Sequence, residues 1–156
     1  MKKWIIIDGY NFLGRVHSGL AVQGRSMEQS RRDLVSRLDS LVGELASRIT
    51  VVFDGAGDGG AGDEPSAVDV RYSPANKSAD ALIHQMLLAA ESPDAAVVVS
   101  SDRVVRDAAA AAGAESMGVA VFRDLMMESI AGLRGRADRR VEARFKPRLG
   151  DFFPRE

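Results

Sequence analysis

Three short runs in this chain are apolar throughout: WIII before Asp8, ITVVF before Asp54 and AVVV before Ser100. A strand with one wet face alternates apolar and polar residues, whereas a continuous run rich in Ile and Val suits a strand covered on both faces. The stretches between them have helical spacing. Leu34, Leu38, Leu41, Val42 and Leu45 recur every three or four positions and predict an amphipathic helix over 26–47. Ser78 and Ser101 or Asp102 are N-cap types and predict helices over 78–90 and on to Ala112, where Gly113 stops the second one. Weaker strands are expected over 67–72 and 116–121, and a last helix over 122–133. Residues 9–24, with glycine at 9, 14, 19 and 24, read as a loop, as does the glycine- and aspartate-rich stretch 55–64. Strands alternating with helices predict an α/β fold with a central parallel sheet flanked by helices.

That architecture gives the aspartates their interest. Asp8 and Asp54 each close an apolar run, Asp102 follows the third, and Asp80 lies in the first turn of the helix after Ser78. Ligands of open α/β sheets bind at the carboxyl ends of the strands, so carboxylates far apart in sequence are expected to converge there. Clustered carboxylates repel unless a cation lies between them, and an all-oxygen site suits Mg²⁺ or Mn²⁺. Each aspartate also has a plainer explanation. Asp8-Gly9-Tyr10-Asn11 and Asp54-Gly55 are ordinary turn chemistry, Asp80 answers a helix dipole, and Ser100, Ser101 and Asp102 are cap residues. Asn11 could orient a carboxylate or a phosphate. Asn76 and Lys77 precede Asp80 closely enough to touch phosphate.

The composition narrows the chemistry. With 156 residues there is room for one core. The absence of cysteine rules out disulfides, thiolate nucleophiles and cysteine zinc sites, and it is compatible with the reducing cytoplasm. The apolar run after Lys3 is too short for a signal segment or a membrane span, so no membrane partner is expected. His17 and His84 lack a second ligand at metal spacing, and no Gly-x-Ser-x-Gly elbow supports a serine hydrolase. The glycine loop lacks the Lys-Ser/Thr of a P-loop. An aspartyl-nucleophile phosphatase at Asp8 would want an acid two residues on, where Tyr10 stands.

Charge is uneven. Residues 134–156 carry a net +4, including Arg134, Arg136, Arg139 and Arg140, while the rest carries −5. This predicts a domain over 1–133 and a basic extension over 134–156 able to attract a polyanion. Phe145 lies among its basic residues, and Phe152 and Phe153 follow. Such a segment suits single-stranded nucleic acid, or else a solvated helix with an aromatic clasp packing back on the domain.

Taken in order, DGYN at 8–11, VVFDG at 51–55, SADALI at 78–83 and VVVSSDRVVRDAAAAAGAESMG at 97–118 resemble the NYN domains, PIN-like ribonucleases, and among them the YacP-like branch. The resemblance covers about residues 3–130. It implies a three-layer PIN-like fold and a metal-dependent endoribonuclease site at the carboxyl edge of the sheet. Asp8, Asp80 and Asp102 would then be the acidic ligands, Asp54 a fourth, and Asn11 and Ser101 supports. It further implies RNA as substrate and the ribosome as a partner, since some members resemble ribosome-associated mRNA-cleaving enzymes. Two positions depart from the family's pattern. Arg103-Val104-Val105 follows Asp102 where a second acid often stands, and Gln85 occupies a similar place after Asp80. A metal-dependent nuclease guided by the tail, Arg25, Arg31 and Arg32 is therefore one expectation. A non-catalytic RNA- or ribosome-binding module on the same fold is the other.

Overall fold

The computed structural model describes residues 3–17, 26–55 and 66–152. The loop readings over 18–24 and 56–64, and those for Arg25 and for the side chains of His17, Phe145, Phe152 and Phe153, lie outside the described residues. Among the described residues, five strands and five α-helices follow in the order β1 (Trp4–Asp8), α1 (Gly9–His17), α2 (Met27–Asp39), β2 (Arg48–Phe53), β3 (Asp69–Tyr72), α3 (Ala79–Ala89), β4 (Ala96–Val99), α4 (Arg103–Ala111), β5 (Glu115–Met117) and α5 (Val119–Phe152). The strands form one sheet in the order β3-β2-β1-β4-β5, and every pairing is parallel. The chain first builds outward from β1 through β2 to β3, then returns to place β4 on the other side of β1. The order therefore reverses between β1 and β4, where a crevice opens at the carboxyl edge.

The apolar runs are buried on both faces, as their composition predicts. Ile5 and Ile7 point into a core with Phe53 of β2 and with Phe12, Leu34, Leu38 and Phe122, which α1, α2 and α5 supply. Ile6, Val52 and Val98 point the other way, against Ile83 and Leu87 of α3 and Val105 and Ala109 of α4. The result is three layers. Each fully buried Ile, Leu or Phe contributes roughly 1.5–3 kcal/mol relative to exposure.

Four expectations about elements change. Residues 9–17 are helical rather than loop. Glycine at 9 and 14 weakens the local helix preference, but Phe12 and Leu13 bury themselves under α5, with Phe12 edge-on to Phe122 at 5.9 Å, and packing overrides propensity. Gly9 is no turn residue either: a Cβ there would lie 2.5 Å from the Phe53 ring. The helix expected over 26–47 ends at Asp39. Leu41 and Ala46 remain fully buried, but Gly43 has φ +91 and Gly43 N–H bonds back to the Ala46 carbonyl, so the chain turns there. The last strand spans only Glu115–Met117, because the Val119 N–H is taken by Ser101 Oγ at 3.2 Å and a helix begins. That helix does not stop at Leu133; α5 runs on through the basic segment to Phe152.

Candidate active site

Asp8 ends β1 opposite Val52 of β2, one residue beyond the Ile7–Val99 pair with β4. Because α1 starts at Gly9, Asp8 also stands at its N-cap and accepts the backbone N–H of Asn11. Across the crevice β4 ends at Val99, and Ser100, which follows it, is wholly buried. The Ser100 hydroxyl lies 3.3 Å from Asp8 Oδ2 and 3.4 Å from Asn11 Oδ1, so its single proton serves one or the other. Its oxygen accepts the Asp102 N–H at 3.1 Å. Asn11 Oδ1 also accepts the Ser101 N–H at 2.8 Å. These bonds lace the end of β1 to the end of β4.

The surrounding charges are negative. Burial, followed at a distance by the carboxylates of Asp102 and Asp80, raises the Asp8 pKa from 3.8 to about 6; the bonds from Asn11 N–H and Ser100 pull the other way without prevailing. Asp80 is half-buried in the first turn of α3, whose N-cap is Ser78. Asp102 is the exposed N-cap of α4, its Oδ1 accepting the Val104 N–H at 2.9 Å. Three helix N-termini thus carry the three acids to one corner.

Other candidates sit farther from it. Asp54 is exposed, accepts the Ser73 hydroxyl at 3.1 Å on the β2–β3 flank, and is not among the charges acting on Asp8. Ser101 spends its hydroxyl on the first turn of α5. Lys77 Nζ donates to Gln85 Oε1 at 2.7 Å. On α5, Arg136 pairs with Glu44 at 3.1 Å, while Arg134, Arg139 and Arg140 are exposed. His84 lies on α3 with its Nδ1 buried and without a hydrogen-bond partner. A groove of about 610 Å³ lined by Trp4, Arg48 and Met86 lies at the opposite edge of the sheet, away from Asp8.

Ser100 is the residue that sequence reasoning passed over. It was legible only as a cap type; what reveals it is a polar side chain, fully buried, at the end of an otherwise apolar strand. Tyr10 was likewise read only as part of a turn. It packs on Phe53 with ring centroids 5.2 Å apart and accepts a hydrogen bond from Arg31 Nη1 at 3.0 Å.

A family model of the YacP-like NYN domain matches residues 5–150. The chain belongs to this family. NYN domains are a PIN-like nuclease family, and the three-layer parallel fold agrees. The crystal structure of Rae1 (YacP) from Bacillus subtilis superposes with a TM-score of 0.65 at 23% identity, covering 97% of this chain and 86% of that one. The W164L mutant of the same protein gives 0.66 at 23% identity, covering 92% and 84%. At that identity the likeness is one of fold. No protein of curated function matches the chain.

The donor set at this corner is all oxygen, the kind that suits a hard divalent cation. Among the described residues no three carboxylate or imidazole groups are gathered closely enough to enclose an ion together. Mg²⁺ does not require that: it keeps several waters and takes one or two carboxylates directly. An oxygen-only set centred on Asp8, a carboxylate with two further carboxylates, Asp102 and Asp80, close enough to act on it, fits such an ion.

Proposed function

We propose that this YacP-like NYN domain is a Mg²⁺- or Mn²⁺-dependent endoribonuclease that cuts single-stranded RNA. The observation that carries this reading is Asp8: a mostly buried carboxylate in the β1–β4 crevice, bonded by Ser100 and Asn11 N–H and repelled by Asp80 and Asp102. Asp8, Asp80 and Asp102 would hold the ion, directly or through water, and Asp54 on the adjoining flank would contribute through water. When bound, the cation activates a water and offsets charge developing on the scissile phosphate. Asn11 and Ser100 fix the Asp8 carboxyl so that its oxygen faces the crevice rather than swinging with solvent. Ser101 supports the site indirectly, by tying β4 to Asn11 and to α5. Arg134, Arg139 and Arg140 would attract the phosphate backbone from solvent, with Lys77 and Arg136 adding charge when released from Gln85 and Glu44. The reading places the reaction in the cytoplasm, where mRNA on the ribosome is one source of exposed single strand.

The exposed arginines of α5 favour a second reading, a non-catalytic RNA- or ribosome-binding module. One experiment separates the two. The full chain and its Asp8→Asn variant are incubated with labelled single-stranded RNA, with Mn²⁺ and with EDTA. Cleavage that needs both Mn²⁺ and Asp8 supports the nuclease. Binding that survives Asp8→Asn, with no cleavage by either protein, supports the binding module. Equal cleavage by the variant overturns the metal assignment.

A further inference from the structure

Beside the acidic crevice, on the β2–β3 side, the carboxyl edge holds a cation of a different kind. Arg31, in the second turn of α2, lies with its guanidinium carbon 5.9 Å from the Phe53 ring centroid and 5.8 Å from that of Tyr72. Its Nη1 donates to the Tyr10 hydroxyl at 3.0 Å. Phe53 and Tyr72 are the last residues of β2 and β3 and pair with one another; Tyr10 is two residues past the end of β1. All four side chains therefore belong to the edge that carries Asp8. With strands about 5 Å apart, β2 and β3 lie about 5 and 10 Å from β1.

Arg31 is held among aromatic groups rather than by an acid. Arg32, Arg48, Arg71, Arg103, Arg123 and Arg136 each face a carboxylate. Arg31 makes no ion pair among the described residues, although Glu28 is near enough to act on Tyr72 and is taken by Arg32. A guanidinium has five N–H donors in a rigid fork, and among the described residues one of Arg31's is engaged, by Tyr10. Arg31, Tyr10 and Tyr72 are half-buried, so each keeps part of its surface to solvent while Phe53 is fully covered. A pre-positioned fork with free donors, held among aromatic rings, is the combination that grips a single strand by phosphate contact and base stacking.

We propose that Arg31, Tyr10 and Tyr72 form a subsite for the RNA strand next to the carboxylates, Arg31 holding a backbone phosphate and the tyrosine rings taking a neighbouring base. The strand then crosses the edge from β3 toward β1, which presents the following phosphodiester to Asp8. The subsite rests on the nuclease reading for its substrate. It also explains how an acidic edge can receive a polyanion, since Arg31 supplies a fixed cation on the β2–β3 side of the crevice.

The test uses the full chain carrying Asp8→Asn, so that binding is read without cleavage, and a labelled single-stranded RNA titrated at several salt concentrations. Arg31→Gln is expected to weaken binding about tenfold and to reduce the salt slope by about 0.7, the loss of one phosphate contact. Arg31→Lys is expected to keep the slope while losing part of the affinity, because the charge remains and the fork does not. A purely structural role for Arg31 leaves the slope unchanged. Photo-cross-linking of thiouridine RNA to the chain with Arg31 intact does not depend on any variant folding: adducts at Tyr10 or Tyr72 are expected. Arg31→Gln binding with the parent's affinity and slope, or adducts that avoid both tyrosines, overturns the subsite. Wild-type cleavage read in parallel separates the two ideas. Metal-dependent cleavage indifferent to Arg31 sinks the subsite alone, RNA binding through Arg31 without cleavage sinks the nuclease alone, and no binding at all sinks both.

Discussion

Replacing Asp8 by asparagine should stabilise the metal-free protein at neutral pH. The reasoning starts from the folded-state pKa of about 6 against 3.8 for the free side chain. Between those values the native state binds more protons than the unfolded chain, so stability falls as pH rises through the window and levels off above it. A difference of that size corresponds to about 3 kcal/mol over the whole window, of which ~2 kcal/mol is lost between pH 4.5 and 7.5. Asparagine is nearly isosteric, still accepts the Asn11 N–H as an N-cap, and carries no charge to be repelled by Asp80 and Asp102. It does remain a polar group in a buried place, so the net gain at pH 7.5 is about 1–3 kcal/mol. For a chain of this size each kcal/mol moves Tm by about 2–4 °C. Thermal unfolding of both proteins in EDTA, followed by circular dichroism at the two pH values, reads the difference directly. The variant's Tm advantage should widen by about 4–8 °C from pH 4.5 to 7.5. Adding Mn²⁺ at pH 7.5 should then raise the wild-type Tm and leave the variant nearly unmoved. A Tm difference that is flat with pH, or a variant less stable at pH 7.5 than at 4.5 relative to wild type, refutes the claim that burial and neighbouring acids hold Asp8 high.

Three further outcomes are expected. Gly9→Ala should cost about 1–3 kcal/mol, since the new methyl meets the buried Phe53 ring at 2.5 Å, whereas Gly14→Ala, with nothing within 4 Å on an exposed helical position, should gain about 0.5–1 kcal/mol; urea unfolding of the pair checks both. Asn11→Ala leaves the Ser101 N–H without its acceptor and should cost about 1–3 kcal/mol by the same measurement, while Asp8 keeps the backbone N–H of residue 11. Asp102→Asn keeps a side chain able to cap α4 and removes a negative charge, so the Asp8 midpoint in a carboxyl NMR titration should move down; an unmoved midpoint would show that Asp102 does not act on it.

The parallel sheet was legible because its strands are apolar on both faces, a pattern that few other environments produce. Ile5 and Ile7 facing one core and Ile6 the other is the period of a strand, realised in three successive residues. What stayed illegible depended on contacts distant in sequence. The helix at 9–17 forms because Phe12 and Leu13 find Phe122 and its neighbours more than a hundred residues on, and no local propensity announces that. Gly43 looked like one glycine in a good amphipathic pattern, and only its positive φ shows why the helix gives way at Asp39. In the site, the acidic side chains were legible as a set because each closes a strand or opens a helix. Ser100 was not, because its importance is a matter of burial and of reach across to β1.

The capping and functional interpretations of these aspartates need not be alternatives, since one placement can serve both. Asp8 caps α1, Asp102 caps α4 and Asp80 sits in the first turn of α3. A helix N-terminus presents unpaired N–H groups and about half a positive charge. Three such termini at one corner offset part of the repulsion among three carboxylates, so the fold can carry them there. Asp8 keeps a raised pKa, first because it is buried and only then because Asp102 and Asp80 are near. Capping makes the cluster tolerable, and under the nuclease reading a cation would offset the charge that remains.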